Sequence, residues 1–295
     1  MQQSRGNVST SPAISVQDVH FSYGTRPAVQ GVSFEVARGE VLGFLGPNGA
    51  GKSTTIKMLT GQYRPARGRI ELLGRDLAKH REALQGRIGV CFEEKNLYAS
   101  LSGVEQLRFF ARLHGVRDLD VMTLLARVGL ESRGRDRVAG YSKGMRQRLM
   151  IARALVNDPE VLILDEPSDG LDPVSAQAIR GVIREQAERG CAVLVTTHDM
   201  GEADALSDRV AFINEGTLYA LDTPEQLKLA FGERNVRVRL RRPDGAVEER
   251  VFELDGDGMA ARLAQASEDG AILTVHTDEA TLEDVFVRMT GRGLT

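Results

Sequence analysis

Three glycines, a lysine and a serine fall in the run Gly46-Pro-Asn-Gly-Ala-Gly-Lys-Ser53, at the spacing of a loop that grips phosphate. Glycines let backbone N–H groups turn inward around phosphate oxygens, and the start of a following helix adds partial positive charge. Lys52 supplies a full charge, and the Ser53 hydroxyl can ligate Mg²⁺. Asn48, Gly49, Ala50, Gly51 and Thr54 complete the cradle. A chance match in a chain of average composition arises roughly once in a hundred. A bare glycine turn is therefore the weaker reading.

A second pole is Val161-Leu-Ile-Leu-Asp-Glu-Pro167, an apolar run that ends in two carboxylates. Burial makes both charges costly unless a cation compensates, and Mg²⁺ is the natural candidate. Asp165 is expected to face the metal, with Glu166 beside it holding an attacking water. Taken alone, the two acids could simply cap the next helix.

The elements that must position these groups are legible in outline. Residues 14–45 read as strands, with Val41-Leu-Gly-Phe-Leu45 a continuous apolar run of the buried kind that stops at the glycine loop. A helix is expected over 53–61 and a short strand within 68–74. Between about 97 and 156 the pattern turns helical, with Leu107, Phe110, Ala111 and His114 at helical spacing. Two apolar strands, Val161-Leu-Ile-Leu and Ala192-Val-Leu-Val, flank a helix near 174–189, as a parallel crossover demands. A hairpin turning at Asn214 to Gly216 follows.

After about residue 232 the texture changes to the strict alternation of Val236-Arg-Val-Arg-Leu and a turn at Pro243-Asp-Gly. A helix near 257–267, a strand near 271–276 and a final helix complete this part. Thr281 with Asp284 marks the start of that helix, and Gly291 its stop. Arg237, Arg239, Arg241 and Arg242 read as a solvated strand face more readily than as a basic surface for a partner. The expected division is a flexible tail over 1–13, an α/β domain carrying the phosphate loop over 14–231 with a helical subdomain at about 97–156, and an α+β accessory domain over 232–295.

Composition sets the class. The chain has 295 residues, 42% hydrophobic and 27% charged, with a formal net charge of −3. These are the proportions of a soluble globular protein, and the charge gives no general pull toward a nucleic-acid backbone. Cys91 and Cys191 lie in apolar stretches and read as small buried hydrophobes, without disulfide or metal spacing, which suits a reducing cytoplasm. Met1 to Ala13 lacks the apolar centre of a secretory signal. No apolar run approaches the ~18 to 20 residues that span a bilayer, so a membrane role is expected to come through a partner.

A third element selects among phosphate-loop enzymes. Tyr141-Ser-Lys-Gly-Met-Arg-Gln-Arg148 precedes an amphipathic helix and lies shortly before Asp165. It resembles the signature segment of ABC-family ATPases, and the resemblance extends over about Ile14 to Leu227. The implied fold is an α/β phosphate-loop ATPase of the ABC type, with a β-rich lobe, a helical subdomain and here a small C-terminal appendage. The resemblance implies that Tyr23, in Phe21-Ser-Tyr-Gly, is an aromatic platform for adenine. A buried strand-end tyrosine is the alternative. Ser168-Asp-Gly-Leu-Asp172 resembles the loop that crosses the dimer interface, and His198, in Thr196-Thr-His-Asp, resembles the switch histidine that contacts the γ-phosphate and orients Glu166.

Two positions depart from the family's pattern. Glu93 stands where glutamine is usual, which puts its metal contact in question. In the signature, Leu-Ser-Gly-Gly-Gln has become Tyr141-Ser-Lys-Gly-Met145, keeping Ser142 and Gly144. Those two supply a hydroxyl and backbone N–H groups at a helix start.

The resemblance implies two chains closing head to tail over ATP and Mg²⁺, with Ser142, Gly144 and Met145 of one completing the loop site of the other. The ending Thr281-Leu-Glu-Asp-Val-Phe-Val-Arg-Met-Thr-Gly-Arg resembles exporter ATPases of the antibiotic-resistance and ABC-2 groups. The implied partner is a separate ABC-2-type transmembrane permease at the cytoplasmic face of the membrane, docking near Glu93 and residues 97–140. ABC-type ATPases that act on ribosomes or DNA are the alternative; they usually join two ATPase halves or insert long coiled coils, and neither is present. A GTPase would need Asn-Lys-x-Asp, which the sequence lacks.

Overall fold

Apolar runs that tolerate water on neither face fix the centre of the first unit. In the computed structural model, which describes residues 11–92, 96–231, 235–253, 258–278 and 280–291, β1 (Ile14–Tyr23) pairs antiparallel with β2 (Arg26–Val36). The wholly buried β3 (Val41–Leu45) then runs through the glycine loop into α1 (Lys52–Leu59). β4 (Arg67–Leu72) and the short β5 (Arg75–Asp76) complete a four-stranded sheet in the order β2-β1-β4-β5. α2 (Leu77–Gln85), capped by the Asp76 side chain on the Ala78 N–H, leads to β6 (Ile88–Cys91).

Three helices follow: α3 (Gly103–Leu113), α4 (Val121–Arg127) and α5 (Lys143–Ala154). Each begins on an oxygen-bearing side chain, Ser102, Asp120 and Ser142, that accepts from the first-turn backbone. β7 (Val161–Asp165), α6 (Pro173–Glu188) and β8 (Ala192–Thr197) form the expected crossover. α7 (Met200–Leu206), β9 (Arg209–Asn214) and β10 (Thr217–Asp222) end the series, with Glu215 and Gly216 at positive φ in the hairpin turn.

The central sheet has the order β10-β9-β3-β8-β7-β6, and β3 runs parallel to both β8 and β9, as β7 does to β6 and β8. Side chains alternate across it. Leu162, Leu164, Val193 and Val195 face a core shared with the helices, including Leu107, Leu125, Leu149 and Ile183. Val161, Ile163, Ala192 and Leu194 face the opposite core, shared with Phe34, Phe44, Ile56 and Met58. A strand buried on both sides reads as an unbroken apolar run, and the carboxyl ends of β3, β7 and β8 come out together at one edge.

The chain divides into compact units Met1–Leu221 and Asp222–Thr295. This break falls ten residues before the expected one after residue 231, because α8 (Pro224–Phe231) packs with α10 (Leu282–Thr290), where Arg288 Nη1 donates to the Phe231 oxygen at 3.1 Å. The second unit has an antiparallel sheet in the order β12-β11-β13, from β11 (Asn235–Arg241), β12 (Val247–Glu253) and β13 (Ala271–Asp278). Val236, Val238 and Leu240 bury one face of it against α9 (Met259–Asp269) through Ala266 and Leu263. Arg237 on β11 pairs with Glu249 at 2.8 Å and Arg242, just after β11, with Glu248 at 2.5 Å, so both are met by carboxylates of the adjacent strand. His114 caps the end of α3 in an exposed position rather than extending its buried face.

Candidate active site

The three strand ends deliver the chemistry to one cavity of about 860 Å³. Its lining includes Tyr23, Asn48, Gly49, Gly51, Lys52, Ser53, Thr54, Asp165, Glu166 and His198. The loop after β3 is set by two glycines. A side chain on Gly46 would meet the Ile213 backbone oxygen at 2.1 Å, and Gly51 starts α1 at φ 111. Gly46 and Ala50 belong to this loop but are buried and do not line the cavity.

Lys52 is 6% exposed, and its ammonium donates to the loop's own carbonyls, Gly46 O at 2.5 Å and Pro47 O at 3.3 Å. The same nitrogen stands 3.8 Å from Glu166 Oε1. Asp165 is buried and accepts the Thr196 hydroxyl at 2.5 Å. Glu166 has left-handed backbone, φ 49, pinned by its N–H donating to the Thr196 oxygen at 3.0 Å. Such a conformation costs a non-glycine residue about 1–3 kcal/mol and persists where the surroundings impose it. It turns the Glu166 carboxylate toward His198, whose Nδ1 lies 2.9 Å from Oε2.

Ser53 and Asp165 share the cavity wall, one hydroxyl and one buried carboxylate. That set suits Mg²⁺, which keeps several waters and takes its other ligands from substrate phosphates. The described residues form no cage of three or more carboxylate, histidine or cysteine ligands. Tyr23 is 46% exposed, so it is not a buried strand-end residue; its hydroxyl lies 3.3 Å from Thr54 Oγ1 and its ring edge meets Phe21 and Tyr63.

Ser142, Gly144, Met145 and Asp172 do not line this cavity. Ser142 caps α5 by accepting the Met145 N–H at 3.2 Å, and Asp172 caps α6 by accepting the Ser175 N–H at 3.0 Å. The Ser175 hydroxyl and N–H hold the Asp172 carboxyl below its ordinary range. Glu93 lies outside the described residues. Two contributors are invisible to motif reading. Thr196 anchors both Asp165 and Glu166, and Gln147, buried on α5, reaches the Glu166 oxygen at 3.4 Å. Only the threonine pair before His198 hinted at the first.

The profile of the ABC transporter family matches residues 29–169. A fluoroquinolones export ATP-binding protein of Mycobacterium tuberculosis is 46% identical over 284 residues, spanning 96% of this chain and 94% of that protein. The chain belongs to the ABC transporter family. A Nod factor export ATP-binding protein I of Paraburkholderia xenovorans is 39% identical over 95% of this ABC chain and 97% of its own length. A solved ATP binding subunit of an ABC transporter superposes with a TM-score of 0.69 at 33% identity, covering 75% of this chain and 93% of that one. As an ABC family member the chain is an ATP-binding ATPase. No helix among its described residues is long and apolar enough to cross a membrane.

Proposed function

We propose that the chain powers export as the ATP-hydrolysing subunit of an ABC transporter, with hydrolysis at Glu166. The carrying observation is the carboxylate of Glu166 set between His198, at 2.9 Å, and Lys52, at 3.8 Å, on the wall of the loop cavity. ATP enters with adenine against the exposed face of Tyr23 and its phosphates in the loop from Asn48 to Thr54. Lys52 then exchanges its carbonyl partners for β- and γ-phosphate oxygens. Ser53 and Asp165 would hold Mg²⁺, which supplies charge neutralisation on the phosphates. Glu166 orients water in line with the γ-phosphate, and His198 holds Glu166 while contributing to the stabilisation of the spreading charge.

The capped start of α5 is an anion-binding end that this copy's own cavity does not use. Ser142, Gly144 and Met145 there, with the loop to Asp172, serve the site of a second copy closing head to tail. Shared sites permit a direct test. A Lys52→Ala chain and a Ser142→Ala/Gly144→Asp chain are each expected to be inactive alone, while an equimolar mixture regains turnover, because a mixed pair contains one intact site. A mixture as inactive as its components contradicts the shared site.

The membrane partner is a separate permease of the ABC-2 type, holding the chain at the cytoplasmic face. Tyr98, Phe109 and Leu113 are exposed beside a cleft of about 510 Å³, where the Arg153 guanidinium lies over the Phe110 ring at 4.8 Å. Exposed aromatic rings around an anchored cation suit burial against a protein helix. The exporter names of the relatives favour outward transport. Co-purification with a polytopic membrane protein, lost on Tyr98→Ala/Phe109→Ala, is the expected outcome.

A further inference from the structure

Behind the pair of Glu166 and His198 lies a second carboxyl group that does not line the cavity. Glu202, near the start of α7, is 8% exposed, and its Oε2 accepts the Thr197 hydroxyl at 3.2 Å. Thr197 immediately precedes His198, and its Oγ1 accepts the Asp199 N–H at 3.0 Å. From the other side, the hydroxyl of Ser168, two residues beyond Glu166, faces the same carboxyl. Ser168 Oγ and Glu202 Oε1 are both buried, and neither has a hydrogen-bond partner among the described residues.

Two buried polar atoms that face each other short of good hydrogen-bond geometry are satisfied by a small displacement. The loop that carries Ser168 is tied to its surroundings. It is folded on itself by the Asp169 N–H to the Glu166 oxygen, at 3.2 Å, and tethered to α5 by Lys143 to Asp169, at 2.8 Å. Burial pushes the Glu202 carboxyl above the usual carboxylate range, aided by the Asp199 charge and opposed by Ser168, Thr197 and the Arg180 guanidinium. A Ser168 hydroxyl that donates to Oε1 while Oε2 still accepts from Thr197 pairs all four polar atoms at once.

We propose that Glu202 is a positioning residue for hydrolysis: by bridging Thr197 and Ser168 it holds the strand end bearing His198 against the loop headed by Glu166. This rests on the reading of Glu166 and His198 as the hydrolytic pair. The bridge acts on the alignment of water rather than on the grip on ATP.

The test is steady-state ATP turnover by the full chain carrying Glu202→Ala, Glu202→Gln or Ser168→Ala, with Glu166→Gln alongside. Glu202→Ala is expected to lower kcat on the order of tenfold, as misplacement of a reacting group does, while KM for ATP stays within about twofold. Glu202→Gln, whose amide donates to Ser168 and accepts from Thr197, is expected to recover most of that loss. Ser168→Ala, the gentler change, carries the test should Glu202→Ala fail to fold, and is expected to lower kcat at constant KM. An unchanged kcat in the alanine variants, or Glu202→Gln as impaired as Glu202→Ala, overturns the role of Glu202 while Glu166→Gln remains inactive. Full turnover by Glu166→Gln would instead overturn the underlying reading.

Discussion

The side-chain amide of Gln147 reaches from the middle of α5 to the backbone oxygen of Glu166, at 3.4 Å. Five residues separate it from Ser142, the cap of the same helix. A single helix therefore connects the end proposed to meet a second copy with the residue proposed for hydrolysis. In the proposed pair of chains, binding at the helix start would act on the Glu166 backbone through one and a half turns of α5.

Gln147→Leu keeps the volume and removes the donor. The variant is expected to bind ATP with an unchanged KM and to hydrolyse it several-fold more slowly, in steady-state kinetics. A bonded amide in this buried position contributes about 1 kcal/mol to stability, so a fall in melting temperature of a few degrees accompanies the loss.

Thr196 makes the buried Asp165 tolerable by donating its hydroxyl at 2.5 Å. Thr196→Val retains shape and strands the carboxylate oxygen. Hydrogen bonds to buried charged groups are worth about 1.5–3 kcal/mol, and urea unfolding is expected to register a loss in that range. The midpoint should recover when Asp165 is also changed to Asn, because the charge that needed the donor is gone.

Acid sensitivity is expected at Glu160. Its carboxyl sits below its ordinary range because Arg87 hydrogen-bonds it, with Arg38 adding a second bond. A folded-state value below the unfolded one gives stability that is fully present above the unfolded value, near the ordinary glutamate pKa, and lost as pH falls through the folded value. Glu160→Gln should flatten that acid limb in thermal unfolding followed across pH 3 to 6, a window of about three units around the carboxylate range. The groups are substantially exposed, so the effect is small and weakens in salt.

Local pattern carried much of the site. Gly46 to Thr54 had to lie between a buried strand and a helix, and Asp165 and Glu166 had to end a strand, because an apolar run can only stop at the sheet edge. The alternation across the central sheet explains why β3, β7 and β8 were readable as continuous apolar runs. Long-range geometry was not readable. The left-handed φ of Glu166 is imposed by Thr196, thirty residues away, and the carbonyl partners of Lys52 depend on how the loop closes. α8 was counted with the first part of the chain, since its packing against α10 involves no motif. Glu202 gave no signal, as a glutamate inside a short amphipathic helix reads like any solvated one until Thr197 and Ser168 are seen around it.

The central claim is that Glu166 orients the attacking water. Steady-state ATP hydrolysis by the full chain carrying Glu166→Gln measures it most directly, with light scattering reporting the assembly state in ATP. The amide keeps the size and loses the charge that His198 and Lys52 address, so turnover is expected to fall at least on the order of a hundredfold while a nucleotide-bound pair of chains accumulates. Turnover equal to that of the unaltered chain, with no accumulated pair, would contradict the account.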